Sequence, residues 1–220
     1  MAASKKITWI SILQGWAMLL VVLGHCWIWT SNEWRFDFCY GVHMPLFMFV
    51  SGGLFYLTRI NKQWAWKDVI IDKLKRLGIP YVSFITLAYG LKILFAGHVK
   101  HSLDLSVSSF LKGFIFPIQS GMKEMWFIAA LLILMFCYPI YGRILQKKII
   151  CVVFFVFCVL FTYIFNSYTG GGVFNWQGAL HYLVYFFGGI LFFRYNMIRY
   201  VKSLLGGGNF NRLIFSNLYI

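Results

Sequence analysis

Three histidines, a lysine and a glutamate stand inside stretches otherwise fit for lipid: His25, His43, His181, Lys92 and Glu124. A titratable group in an apolar span is costly to bury, so each is a candidate for chemistry. An imidazole kept neutral by burial can take a proton from a hydroxyl, because its ordinary pKa lies near 6.5. Glu124 has a second reading as a helix cap, where a carboxylate favours the dipole. Lys92 has one as a stem reaching for the interface, and each histidine has one as a packed or interfacial side chain. No GxGxxG, GxxxxGK[ST] or HExxH motif occurs, and His98 and His101 alone supply too few ligands for a metal. Neither a metal site nor a bound cofactor is expected.

These residues need a membrane scaffold. Hydrophobic residues make up 60% of the chain and charged residues 12%, about half the charge of a soluble domain. Six apolar stretches approach the roughly 20 residues that a helix needs to cross a bilayer. They run about 10–29, 38–58, 78–97, 124–142, 149–168 and 176–194. The fold class predicted is all-α, a polytopic bundle of about six spans. Fifteen Lys and Arg fall on one side of this arrangement and four on the other, with Lys92 inside a span. That bias places the amino terminus in the cytoplasm. The net charge of +14 is thereby spent on orientation and anionic lipid, not on nucleic acid. Residues 60–77 suit either a short interfacial helix or a charged loop. The five cysteines lie in or beside apolar segments and read as small buried residues. Counting residues from the span ends sets His25, His43, Lys92 and His181 at similar depth in the outer half, with Glu124 at the outer boundary.

Several motifs resemble one family. Residues 12–25, ILQGWAMLLVVLGH, look like the first helix of the membrane-bound acyltransferase 3 family, and HMPLFMFVSG at 43–52 is similar to its second-helix signature. KRLGIPY at 75–81 resembles the opening of its third helix, and MWFI at 125–128 its Trp-Phe segment. The family has a basic residue eleven positions before the first-helix histidine, where this chain has Gln14. The resemblance implies transfer of an acyl group, usually acetyl, from acyl-CoA to a hydroxyl of a sugar or envelope glycan. It also implies a bilayer, acyl-CoA and a carbohydrate as partners, in a bacterial inner membrane. Family members usually have more spans, so residues 1–220 are expected to be one transmembrane acyltransferase-like domain, truncated at its carboxy terminus and of doubtful activity alone.

On that reading His25 is the general base, and His43 orients it or contacts the reacting groups. Gln14, about 16 Å below His25 on the same helix, would contact the pantetheine arm. Lys75 and Arg76 would meet the CoA phosphates or merely anchor the basic side. Glu124, Trp126 and His181 are candidates for the acceptor site. The competing expectations are a transporter or flippase with a histidine-lined cavity, and an inactive truncated homologue.

Overall fold

The computed structural model describes residues 8–25, 33–95, 106–119, 125–164 and 172–200. Every regular element among them is helical. They are α1 (Thr8–His25), α2 (Glu33–Phe55), α3 (Trp66–Lys73), α4 (Ile79–Leu94), α5 (Val107–Ile115), α6 (Trp126–Phe136), α7 (Tyr138–Ile144), α8 (Lys148–Ile164) and α9 (Trp176–Arg194). Wide helical turns, Tyr56–Ile60 and Leu74–Gly78, prolong α2 and join α3 to α4. The chain forms two compact units, one of residues 1–58 and 185–220, the other of residues 59–184.

In the first unit, α1 packs along α2. Ile10 and Ala17, seven residues apart on α1, are buried, while Ile12, Trp16, Leu19 and Val22 stay exposed. Two helical turns separate the buried pair, so one stripe of α1 faces its unit and the rest suits lipid. The other partner of α2 is the final part of α9, and glycine sets their distance. A Cβ on Gly52 would overlap the carbonyl of Phe186, and one on Gly189 would overlap the carbonyl of Phe49. The two helices therefore cross backbone against backbone, as small residues allow in membranes. Phe55, Phe186, Phe187, Met48 and Ile190 are fully buried around the crossing. Phe49 meets Phe192 edge-on at 5.5 Å.

In the second unit, residues 66–94 form one continuous helix of 29 residues. Its first eleven residues carry six charges and its remainder only Lys92, so the charged third lies outside the apolar span. This settles residues 60–77 as helix from Trp66 onward; Val69 is its buried anchor. Helix α5 was not foreseen. It runs back along α4, because Tyr89 Oη donates to the Ser106 carbonyl at 2.9 Å and Tyr81 Oη to the Phe114 carbonyl at 2.8 Å. Both tyrosines, eight residues apart, thus pair with residues eight apart on α5 in reverse order. Ser106 starts the helix by accepting from the Ser109 N–H at 3.2 Å.

Helix α6 packs its first turns on Tyr81 and Ile85 through Ile128 and Ala129. At its other end Trp66 Nε1 donates to the Phe136 carbonyl at 3.4 Å, and Tyr138 Oη to the Trp64 carbonyl at 2.8 Å. Helices α6 and α7 meet at a 49° bend, where Pro139 can donate no backbone hydrogen bond. Cys151 and Cys158, two turns apart, are the buried face of α8, and Cys151 Sγ donates to the Ile144 carbonyl at 3.2 Å.

Among the described residues, three helices, Gly41–Ile60, Trp66–Leu94 and Val173–Arg194, are long and apolar enough to cross a membrane, and the bent α6–α7 pair makes a fourth if it is one span. The other two expected spans also carry apolar helices, Ile12–Leu23 within α1 and Lys148–Ile164 as α8, within the described residues.

Gly52→Ala and Gly189→Ala should each lower stability by about 1–3 kcal/mol, because the crossing must open. Gly15→Ala, whose Cβ would meet nothing within 4 Å, should be neutral or slightly stabilising. Unfolding in mixed detergent micelles reads all three; equal shifts would contradict the close crossing.

Candidate active site

His43 sits in α2 with 3% of its surface exposed, beside buried Met44 and a turn from buried Met48. Two residues on, Pro45 removes the hydrogen bond that the Gly41 carbonyl would otherwise accept. The residue is therefore a buried imidazole next to a break in the backbone ladder, on a helix fixed from two sides. His25 is the last residue of α1, and its side chain lies outside the described residues. The helices that carry the two candidate catalytic histidines are packed neighbours in one unit. Gln14 is half-buried on α1, three helical turns before position 25.

Lys75 and Arg76 lie in the second unit, both exposed, on the wide turn between α3 and α4. Arg76 is already engaged, its Nε 2.8 Å from Asp72 Oδ1. The same carboxylate accepts from the Arg59 guanidinium at 2.6 Å and has Lys73 Nζ at 3.6 Å. Arg59 is 8% exposed and stacks its guanidinium 4.0 Å from the Trp64 ring. Burial alone would raise the Asp72 carboxyl, but the hydrogen bonds and charges of Arg59, Arg76 and Lys73 hold it below its ordinary value. The cluster thus stabilises this turn at neutral pH and loses that contribution as pH falls below about 4. Lys75 lines an open cleft of about 560 Å³ with Trp64, Asp68, Ile71 and Asp72. Its two carboxylates temper the attraction of the lysine for a phosphate.

Two acceptor-site candidates come together. Trp126 and Tyr182 stack with ring centroids 5.6 Å apart and planes at 29°. The His181 ring stands edge-on to Tyr182 at 4.9 Å, and its carbonyl accepts from Thr162 Oγ1 at 3.3 Å. Tyr182 and Thr162 escape sequence reading, because nothing local ties position 126 to 182 or 162 to 181. Glu124 lies outside the described residues. Trp126 opens a helix whose first turns pack on Tyr81 and Ile85, far along the span from the Leu94 end of α4. Lys92 occupies the last turn of α4, where a cation suits the helix dipole.

A family model described as an acyltransferase domain, Acyl_transf_3, matches residues 7–208. The chain belongs to the acyltransferase 3 family. It is accordingly an integral membrane protein and an acyltransferase. No curated protein and no solved structure matches the chain.

Asp72→Asn should cost this acyltransferase about 3 kcal/mol, because buried Arg59 loses its carboxylate. Asp68→Asn, at an exposed position, should cost less than about 0.5 kcal/mol. Thermal unfolding followed by tryptophan fluorescence distinguishes them; a silent Asp72→Asn would contradict the cluster.

Proposed function

We propose that this membrane acyltransferase moves an acetyl group from acetyl-CoA to a hydroxyl of a sugar or envelope glycan, in a bacterial inner membrane. The observation that carries the reading is His43, buried on the helix against which the His25-bearing helix packs. A buried imidazole has no packing advantage over a hydrocarbon and a clear desolvation cost, so a chemical role accounts for it better.

In the reaction proposed, His25 takes the proton of the acceptor hydroxyl as its oxygen attacks the thioester carbonyl. His43 donates to the developing oxyanion or holds His25 in the competent tautomer. The tetrahedral intermediate collapses with loss of the CoA thiolate, which receives the proton from His25. Gln14 would hydrogen-bond the pantetheine arm, and Lys75 with Arg76 would sit near the CoA phosphates. The stacked Trp126–Tyr182 pair, with His181 beside it, offers a flat apolar surface and a polar edge, the combination that binds a pyranose face.

His25→Ala should lower acetyl transfer by about 10²–10⁴-fold at matched protein levels, since a general base is lost. Gln14→Arg should be tolerated or raise activity, its charge reaching toward the nearby interface. Trp126→Ala should raise KM for the acceptor more than it lowers kcat. Incorporation of radiolabelled acetyl from acetyl-CoA into membrane glycan reads these outcomes. Near-normal transfer by His25→Ala would overturn the base assignment, and substrate uptake without acetyl transfer would point to a transporter.

A further inference from the structure

The second unit carries an apolar groove of about 810 Å³, within the size of a small-molecule site. Leu74, Ile79 and Val82 line it from one helix and Ile133 and Phe136 from another, and Phe174 adds to the lining. Phe174 is held there on a left-handed backbone (φ 52°), an uncommon conformation for a residue with a Cβ. From Leu74 to Ser83 the groove follows the helix for about 13 Å. It lies along the first turns of the apolar stretch of this helix, next to its charged first third. Ile79 and Val82 are at least half exposed, so the groove opens sideways toward lipid.

The lining limits what can occupy it. Tyr81 and Ser83 bring the hydroxyls, and Tyr81 spends its own on the Phe114 carbonyl. The amides of a pantetheine arm would find too few partners, whereas a hydrocarbon chain needs none. The charge at the mouth selects the other end of the ligand. Lys75 lies one helical turn beyond Ile79, exposed, with exposed Lys62 and Lys67 in the same segment. Of the two carboxylates that temper Lys75, Asp72 is already engaged by Arg59 and Arg76, and Asp68 is outnumbered by Lys62, Lys67 and Lys75, so the segment keeps a net attraction for an anion at the headgroup level.

We infer that this groove is a site for one anionic phospholipid of the leaflet that meets the basic segment. One acyl chain lies between α4 and α6, and the phosphate sits at Lys75. The groove does not rest on the acetyl-transfer reading, although Lys75 is shared with the CoA-phosphate role proposed above.

The test reconstitutes the full chain in vesicles of phosphatidylcholine and phosphatidylglycerol, with a photoactivatable diazirine in the acyl chain of either lipid. Phosphatidylglycerol should label the peptides containing Val82 and Ile133 several-fold more than phosphatidylcholine does. Lys75→Glu should abolish that preference. Val82→Trp, which fills the groove from a half-exposed position, should cut labelling at Ile133 several-fold, while Leu160→Trp on exposed α8 should leave it unchanged. Equal labelling by both lipids, or labelling spread evenly over α4 and α8, would overturn the proposal. So would displacement of phosphatidylglycerol by substoichiometric palmitoyl-CoA, which would assign the groove to an acyl donor.

Discussion

Along the spans no water reaches the backbone, and a polar group without a partner costs several kcal/mol there. The side chains of the described helices answer that constraint. Thr58 donates to the Leu54 carbonyl, Thr86 to Val82, and Cys151 to Ile144. Tyr81 and Tyr89 donate to the carbonyls of Phe114 and Ser106, and so fasten α5 to α4. The threonine hydroxyls are satisfied within their own helices, and the tyrosine hydroxyls become fastenings between elements. Against this background a buried imidazole is the exceptional investment, and His43 is one.

What holds His43 in place is the crossing of α2 with the end of α9. Without side chains on Gly52 and Gly189 the two backbones touch, and aromatic rings fill the space on either side. From Gly52 to His43 is nine residues, about 13 Å along α2, with Pro45 between them. The second unit uses a different device for its basic end. There one carboxylate, Asp72, gathers Arg59, Arg76 and Lys73, and Trp64 covers the guanidinium.

The helices were legible in the sequence because lipid demands long apolar runs, and their ends because basic residues gather on one side. The charged helix from Trp66 was half-legible; its spacing admitted a loop until Val69 found a buried position. Helix α5 was missed although Ser106 caps it and Val107, Phe110, Leu111 and Phe114 recur at helical spacing. Its apolar stretch is too short to span, so the region read as an outer loop. The α6–α7 bend and the Trp126–Tyr182 stack depend on tertiary contacts that no local pattern encodes. Of the candidate site, the packing of α1 on α2 and the burial of His43 could be anticipated from the family motifs. The engagement of Arg76 by Asp72 could have been, since they stand four apart on a helix.

Membership of the acyltransferase 3 family makes the chain an acyltransferase, and the open question is where the acyl carbonyl is presented. The most direct measurement is a structure of the membrane-reconstituted chain with a non-hydrolysable acetyl-CoA analogue. The account predicts the carbonyl oxygen of the analogue within hydrogen-bonding distance of the His43 imidazole, and the carbonyl carbon facing the His25 imidazole with room for one acceptor hydroxyl between them, in the unit formed by α1, α2 and the end of α9. A carbonyl bound in the second unit, or a His25 ring turned into lipid while the analogue is bound, would contradict it.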